Sequence, residues 1–220
     1  MLRPRHLPLS ELQASQAAFT AFWIPAAFFI SLGAVWLMLT PVGAELLWIN
    51  THRTALADQF FQLATLLGEG WAFLAVTILL LFYRWKSALT LPLLGFLVTV
   101  VAQVSKHWFA HDRPYPYLSK LGIWQQLQPI EGVELLRGAN SFPSGHTMAA
   151  FALYTFAALN MPRRWWLGLS FVLLAVLTAF SRMYLLHHFL KDVVAGGLMG
   201  IGLALLWHYM LLWLWKENRT

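Results

Sequence analysis

Long runs of apolar residues, separated by short polar segments, make up most of this 220-residue chain. A membrane-spanning helix needs about 20 largely apolar residues. Six runs meet or approach that length, and they predict membrane-spanning helices at 19–41, 69–84, 87–107, 144–161, 165–185 and 189–215. A shorter apolar stretch, 55–67, predicts an amphipathic helix at the membrane surface. The small residues Gly196 and Gly200, one helical turn apart, predict close helix packing in the last span.

The composition supports an all-α, polytopic membrane protein that forms a single domain over residues 1–220. Of its residues, 59% are hydrophobic and 11% are charged, whereas a soluble domain carries about 25% charged residues. The chain has no cysteine, which excludes disulfides and thiolate metal sites. Its net charge of +6 does not imply a nucleic-acid partner, because membrane proteins hold Lys and Arg in their cytoplasmic loops.

The basic residues of the connections bear on the orientation of the spans. One side holds Arg3, Arg5, Arg84, Lys86, Arg163, Arg164, Lys216 and Arg219. These are eight of the 15 Lys and Arg residues, and the other seven fall on the opposite side, so the count alone does not decide. If some of those seven serve chemistry, the remaining bias makes the first side cytoplasmic. We therefore expect a bacterial-type inner membrane protein with both termini in the cytoplasm and the long loop 110–143 outside.

The first polar cluster is KHWFAHDRP, residues 106–114. Lys106 and Arg113 are seven residues apart and would share one face of a continuous helix. Pro114 then ends or redirects that helix. Taken alone, this is a pair of cations at a membrane boundary, where long side chains reach lipid headgroups.

The second cluster is PSGH, residues 143–146, where a polar segment meets an apolar run. Pro143 suits the first helical position, and the free backbone N–H groups of a first turn attract anions, phosphate above all. Gly145 allows a ligand close to the backbone, Ser144 adds a hydroxyl donor, and His146 can supply a proton. A helix cap with an interfacial histidine is the simpler alternative.

The third cluster is SRMYLLHHFLKD, residues 181–192. His188 and Asp192 are four residues apart and would stack on one helix face. A carboxylate there accepts the Nδ1 proton and leaves Nε2 with a free lone pair, although the pair could simply stabilise a helix. Together the clusters bring three cations, including Arg182, and two histidines to the outward ends of four spans. That charge arrangement is typical of phosphoryl transfer.

With these motifs in order, the chain resembles the type 2 phosphatidic acid phosphatase (PAP2) superfamily of membrane lipid phosphatases, which shares its catalytic core with vanadium haloperoxidases. The family signature is Lys-x6-Arg-Pro, Pro-Ser-Gly-His and Ser-Arg-x5-His-x3-Asp. It matches at every position, within 106–114, 143–146 and 181–192. The chain departs from many relatives at 189–191, where Phe-Leu-Lys replaces a Pro-Ser-like pair.

The resemblance implies a six-helix bundle of the PAP2/haloperoxidase type that hydrolyses a phosphate ester without a metal or other cofactor. It assigns His188 as the nucleophile that forms a phosphohistidine, Asp192 as its orienting partner, and His146 as the acid that protonates the leaving alkoxide. The phosphate would be held by Lys106, Arg113, Ser144, the Gly145 N–H and Arg182. The implied partners are membrane lipids and a lipid phosphate substrate, with no obligate protein partner.

The substrate stays open at this point among undecaprenyl diphosphate, phosphatidylglycerophosphate or phosphatidate, and lipid A phosphates. One alternative function is a phosphotransferase of the same fold, which passes the phosphate to a second lipid instead of water. A transporter is a further alternative, but it would require charges deep within several spans. The predicted spans are nearly free of charge away from their outer ends.

Overall fold

The computed structural model describes residues 9–161 and 164–217, and all regular structure in these ranges is helical. The α-helices are α1 (Leu9–Leu39), α2 (Ala44–Thr51), α3 (Ala55–Ala64), α4 (Gly70–Phe109), α5 (Pro114–Lys120), α6 (Gly145–Asn160), α7 (Trp165–Tyr184) and α8 (Leu190–Glu217). Short 3-10 segments cover Thr65–Gly68 and Trp124–Gln126. Of the basic residues expected to orient the chain, Arg3, Arg5, Arg163 and Arg219 lie outside the described ranges.

Helices long and apolar enough to cross a membrane confirm that this is an all-helical, integral membrane protein. Four stretches of the described residues qualify: Thr20–Leu39, Gly70–Lys120, Trp165–Tyr184 and Leu190–Trp215. Large apolar side chains on these helices point away from the protein interior, among them Phe28, Met38, Phe82 and Leu206. So extensive an exposed apolar surface is unfavourable in water and suits contact with lipid.

Helix α4 covers the two runs 69–84 and 87–107 that the sequence predicts as separate spans. Its backbone is helical except at Arg84, where φ is −145° and ψ is 66°. The chain folds back there and divides α4 into two arms, 70–83 and 85–109. A Cβ built on Gly95 in the second arm would lie 3.1 Å from the ring of Phe73 in the first arm. The predicted break is therefore present, but helix resumes at once because Tyr83–Lys86 contains no glycine or proline.

The predicted helix at 55–67 is present as α3 and the 3-10 segment that follows it. Thr54 caps α3, because its side chain accepts a hydrogen bond from the Ala57 N–H. Phe61 packs its ring 4.4 Å from the ring of Tyr184 and 5.1 Å from that of Phe180, centre to centre. The apolar face of α3 therefore lies against α7.

Helix α6 lies at the centre of the molecule and packs closely on α8, as the two glycines predict. A Cβ on Gly196 would lie 2.6 Å from the Ser144 carbonyl oxygen, and one on Gly200 would lie 2.3 Å from that of Met148. Both distances are far below van der Waals contact, so only glycine fits. This packing fixes the start of α8 against the start of α6, where two of the polar clusters lie.

Candidate active site

The three polar clusters meet at one end of the helix bundle. Lys106 lies in the last turn of α4, Arg182 in the last turn of α7, and Asp192 in the first turn of α8. Lys106 is within electrostatic range of Arg113, Arg182 and Asp192. The fold therefore brings together the charged residues that the sequence analysis singles out.

Lys106 and Arg113 reach this site by a different route from the one that their spacing suggests. Helix α4 ends at Phe109, and Ala110 adopts the left-handed conformation with its N–H on the Lys106 carbonyl. Arg113 then lies in extended backbone before α5. The expectation of one continuous helix face is wrong, because the chain turns before Pro114 rather than at it.

His188 and Asp192 form a buried pair. His188 Nδ1 lies 3.4 Å from Asp192 Oδ2, a long hydrogen bond of the kind that often tightens when substrate binds. Helix α8 begins at Leu190, so the pair is not stacked on a helix as the i,i+4 spacing predicts. Instead Asp192 turns back over the helix start, where its Oδ2 also accepts the Phe189 N–H at 3.0 Å.

The other ring nitrogen of His188 faces Arg113. Nε2 lies 3.2 Å from Arg113 Nη1, and the same guanidinium donates to the His187 carbonyl at 3.0 Å and to Asn140 Oδ1 at 2.8 Å. This geometry fits a neutral ring with its proton on Nδ1 and its lone pair on Nε2. Burial lowers the pKa of His188 to about 4, so the ring is neutral at physiological pH.

Arg182 is held by residues that the sequence analysis leaves without a role. Its Nη2 donates to His187 Nδ1 at 2.7 Å, its Nη1 donates to Thr65 Oγ1, and His187 Nε2 in turn donates to the Glu134 carbonyl at 3.1 Å. Burial lowers the pKa of His187 to about 3, which keeps this ring a neutral acceptor. Arg182 Nε is buried and has no partner among the described residues.

The PSGH segment begins α6, two positions later than its proline suggests. Ser144 is the N-cap and Gly145 the first helical residue, so Pro143 precedes the helix and follows a cis peptide bond. Ser144 Oγ accepts from the Thr147 hydroxyl at 2.9 Å, and the Ser144 N–H donates to the Asp192 carbonyl at 2.9 Å. A Cβ on Gly145 would lie 3.6 Å from Lys106 Nζ, which brings the lysine close to this helix start.

A cavity of about 500 Å³ opens beside this helix start, between α6 and the two arms of α4. Its polar wall includes Lys106, Gly145, His146, Glu69 and Gln103. Its apolar wall includes Val98, Ala102 and Ala149. The site therefore has two layers, since His188, Arg113 and Arg182 are buried behind the cavity rather than lining it.

Ser141 and Glu45 hold the buried pair in place, and neither is predicted from the sequence. Ser141 Oγ donates to Asp192 Oδ2 at 2.5 Å. Glu45 Oε1 accepts the Leu190 N–H at 2.9 Å and so caps α8, while its Oε2 accepts the Gly43 N–H at 3.1 Å. Burial raises the pKa of Glu45. The one available signal for Ser141 is its position just before the PSGH segment; Glu45 gives none.

The long loop 110–143 contributes to the site directly. It supplies Arg113, Asn140 and Ser141 as well as the Glu134 carbonyl that accepts from His187. Backbone hydrogen bonds close it on itself, from the Arg113 N–H to the Gly138 carbonyl and from the Ser141 N–H to the His111 carbonyl. The described residues include no cluster of three or more His, Cys, Asp or Glu side chains arranged to hold a metal ion.

Comparisons with known proteins find similar sequences and folds among membrane phosphatases. The undecaprenyl-diphosphatase of Sulfolobus acidocaldarius is 27% identical over 160 residues, which are 72% of this chain and 72% of that protein. The crystal structure of Aquifex aeolicus LpxE superposes with a TM-score of 0.61 at 29% identity, covering 73% of this chain and 90% of LpxE.

A second solved structure shares the fold. It is the transmembrane PAP2 type phosphatidylglycerolphosphate phosphatase of Bacillus subtilis, with a TM-score of 0.59 at 22% identity, covering 85% of this chain and 94% of that one. The family model described as the PAP2 superfamily matches residues 87–216, which include all three polar clusters. The chain therefore belongs to the PAP2 superfamily and is an integral membrane phosphatase.

Proposed function

We propose that this phosphatase hydrolyses a lipid phosphate or diphosphate through a phosphohistidine on His188. The observation that carries the proposal is the buried His188, whose Nδ1 faces Asp192 and whose Nε2 faces the Arg113 guanidinium. A neutral imidazole with one nitrogen oriented by a carboxylate is an activated nucleophile. The cation on its free side marks where an anionic phosphate would bind.

In the first step, the Nε2 lone pair of His188 attacks phosphorus and forms the P–N bond. The P–O bond to the leaving group breaks, and its electron pair moves to that oxygen, which takes a proton from His146. Asp192 stabilises the positive charge that develops on the ring of His188, as the carboxylate of a catalytic triad does.

In the second step, His146, now neutral, accepts a proton from water. The water oxygen forms a bond to phosphorus, the P–N bond breaks, and its electron pair returns to Nε2. Inorganic phosphate leaves and both histidines regain their starting forms. A phosphotransferase would use the hydroxyl of a second lipid in place of this water.

Three cations would hold the phosphate oxygens during both steps. Arg113 and Arg182 are buried, and Arg182 Nε lacks a partner among the described residues, so a buried donor remains for an anion. Lys106 Nζ has no hydrogen bond or ion pair with any residue that the structure describes, and it lies beside Gly145. The Gly145 N–H and the Ser144 hydroxyl add neutral donors at the start of α6. Fixed cations are also our reason to expect metal-independent chemistry.

The lipid part of the substrate would occupy the cavity between α4 and α6. Its polar wall meets the phosphate-binding cations, and its apolar wall runs along α4 from Ala102 to Val98. Relatives are described as an undecaprenyl-diphosphatase and as LpxE. We therefore retain undecaprenyl diphosphate, phosphatidylglycerophosphate or phosphatidate, and lipid A phosphates as the substrate classes.

We also propose six membrane spans, with the site at the outer face of a bacterial-type inner membrane. The two arms of α4 fold back at Arg84 and would be two spans, while α6, with 16 residues, would be a short span at the centre. Arg84 and Lys86 then lie at the end opposite to the site, where cytoplasmic cations are expected. An even number of spans puts both termini on the same side as Arg84 and Lys86, which would be the cytoplasm.

A phosphate-release panel with the purified protein tests the proposal. Wild type should release phosphate from at least one of the three lipid classes without an added acceptor, and His188→Ala should reduce release at least about 1000-fold. The matched control is His107→Ala, an exposed histidine one residue after Lys106. A labelled lipid phosphate should leave acid-labile label on the protein, and His188→Ala should not be labelled. Full activity of His188→Ala contradicts the nucleophile; release only with a second lipid indicates a transferase.

A further inference from the structure

We propose that Glu69 is a positioning residue that keeps His146 protonated, so that the enzyme is adapted to phosphate esters with poor, alkoxide leaving groups. The inference rests on the proposed function, in which His146 is the general acid. Nothing in the family signature refers to Glu69, which lies at the other end of α4 from Lys106.

The geometry brings Glu69 to His146 across the cavity. Glu69 Oε1 lies 3.4 Å from His146 Nε2, and both residues line the cavity wall. Glu69 occupies the N-cap position of α4, yet its side chain makes no capping hydrogen bond. The carboxylate is therefore directed to the histidine rather than to its own helix.

The surroundings of His146 make such a carboxylate necessary. The other charged or titratable groups around it are Arg182 on α7, Lys106 on the second arm of α4, and His187 and His188 in the connection before α8. Burial above all, and then the two permanent cations, disfavour a positive imidazole ring. A general acid must nevertheless hold its proton until the ester bond breaks. Glu69 is the carboxylate that the structure provides against this ring.

The proton inventory follows from the contact. In imidazolium both ring nitrogens carry a proton, and Glu69 holds the one on Nε2. The Nδ1 proton passes to the ester oxygen as the P–O bond breaks and its electron pair moves to that oxygen. The ring is then neutral, with its remaining proton still on the Nε2 that faces Glu69, and Nδ1 is free to accept a proton from water.

The contact between Glu69 and His146 affects the rate only for some leaving groups. An alkoxide is a strong base and leaves slowly unless it is protonated, whereas a nitrophenolate or a phosphate monoester leaves without a proton. Glu69 should therefore be important for a lipid monophosphate, where the leaving group is an alkoxide. It should matter little for a diphosphate, where the leaving group is itself a phosphate.

The test compares wild type, Glu69→Gln and Glu69→Asp by the pH profile of kcat/KM on two substrates. One is a long-chain alkyl phosphate, and the other is a nitrophenyl phosphate of matched chain length. With the alkyl ester, Glu69→Gln should move the alkaline limb about one pH unit lower and reduce kcat/KM about tenfold above it. With the nitrophenyl ester, the pH profile of the variant should keep its wild-type shape, and thermal unfolding in detergent should show that the variant is folded.

Glu69→Asp keeps the charge and should recover part of the shifted limb. The matched control is Glu131→Gln, which removes the same charge from an exposed position in the loop 110–143. It should leave the pH profiles of kcat/KM on both substrates unchanged. An unshifted limb in Glu69→Gln, or equal losses on both substrates, overturns the inference while leaving the phosphatase proposal intact. If wild type releases phosphate from no lipid phosphate, the proposed function itself fails and the inference falls with it.

Discussion

At the scale of single residues, Ser141 fixes the orientation of the Asp192 carboxylate towards His188. Its hydroxyl donates to Asp192 Oδ2 at 2.5 Å in a fully buried position. Without that donor the carboxylate can rotate, and its hold on His188 weakens. We expect Ser141→Ala to lower kcat about tenfold with a smaller change in KM, the cost of one lost buried hydrogen bond.

Steady-state kinetics on the preferred lipid phosphate would check this, with Ser119→Ala as the control. Ser119 is exposed on α5, within the same loop 110–143. If Ser141→Ala retains the wild-type kcat, the orientation of His188 does not depend on this serine.

The protonation of His188 gives a second prediction at this scale. Burial lowers its pKa to about 4, against about 6.5 for an unperturbed histidine. A lowered histidine pKa means that the neutral form persists above pH 4 and is lost as the pH falls through about 4. Nitrogen-15 NMR of labelled histidines, with His188→Gln for assignment, should show a midpoint near pH 4 and no titration of this ring between pH 5 and 8. A midpoint near 6.5 would mean that the ring is hydrated and not held as described.

Spacing along the sequence predicts some of the site residues but not all of them. The three signature motifs meet at one end of the bundle because each lies at or beside the end of a long helix, and the ends of long helices can be predicted from apolar runs. Ser141, His187 and Glu69 act from loops or from the far end of another element, where no periodicity fixes which way a side chain points. Only the folded chain shows those contacts.

At the scale of elements, apolar length predicts α1, α6, α7 and α8 to within a few residues, apart from the early start of α1 at Leu9. It fails for α2 and α5, which are too short to show a period. The segment PYPYLSK in particular looks like a loop because it holds two prolines. Pro114 is nevertheless compatible with helix because it lies in the first turn, where no N–H bond is required.

The contact between α6 and α8 yields a prediction with an internal control. A Cβ on Gly200 would lie 2.3 Å from the Met148 carbonyl oxygen, whereas one on Gly202 would meet nothing within 4 Å. Gly200→Ala must therefore push α8 away from α6 and should cost about 1–3 kcal/mol of stability. Gly202→Ala on the same helix should be neutral or slightly stabilising.

Thermal unfolding of the two variants in detergent would measure the difference, and their activities would show its reach. Because Asp192 lies at the start of α8 and Ser144 at the start of α6, displacement of α8 should also lower kcat. Equal melting temperatures for the two variants would show that the helices separate without cost.

At the scale of the whole molecule, the site is assembled from parts that are distant in sequence. Lys106 comes from α4, Arg113 and Ser141 from the loop 110–143, Arg182 from α7 and Asp192 from α8. The sequence predicts that the charged members of this set meet, because their clusters lie at or beside the same ends of the predicted spans, but it does not predict the contribution of Ser141. It does not predict that Arg113 faces Nε2 of His188, since the loop conformation that aims this guanidinium depends on contacts to Asn140 and the His187 carbonyl.

The same assembly leads to a prediction about metals. In many phosphoryl-transfer enzymes a divalent cation neutralises the phosphate charge. Here Lys106 and Arg182 lie near His146, and Arg113 and Arg182 lie near His188. These three fixed cations can supply that neutralisation to a dianion. We therefore expect the detergent-purified protein to keep its full rate of phosphate release after incubation with excess EDTA and passage into chelator-treated buffer.

Two further measurements make this prediction decisive. Added magnesium should not increase the rate, because a fourth cation has no charge left to balance. Arg182→Gln should abolish most activity, and magnesium should not restore it, since a hydrated ion cannot enter the buried position of a guanidinium held by Thr65 and His187. Loss of activity in EDTA that magnesium restores would show that a metal, rather than these side chains, carries the phosphate charge.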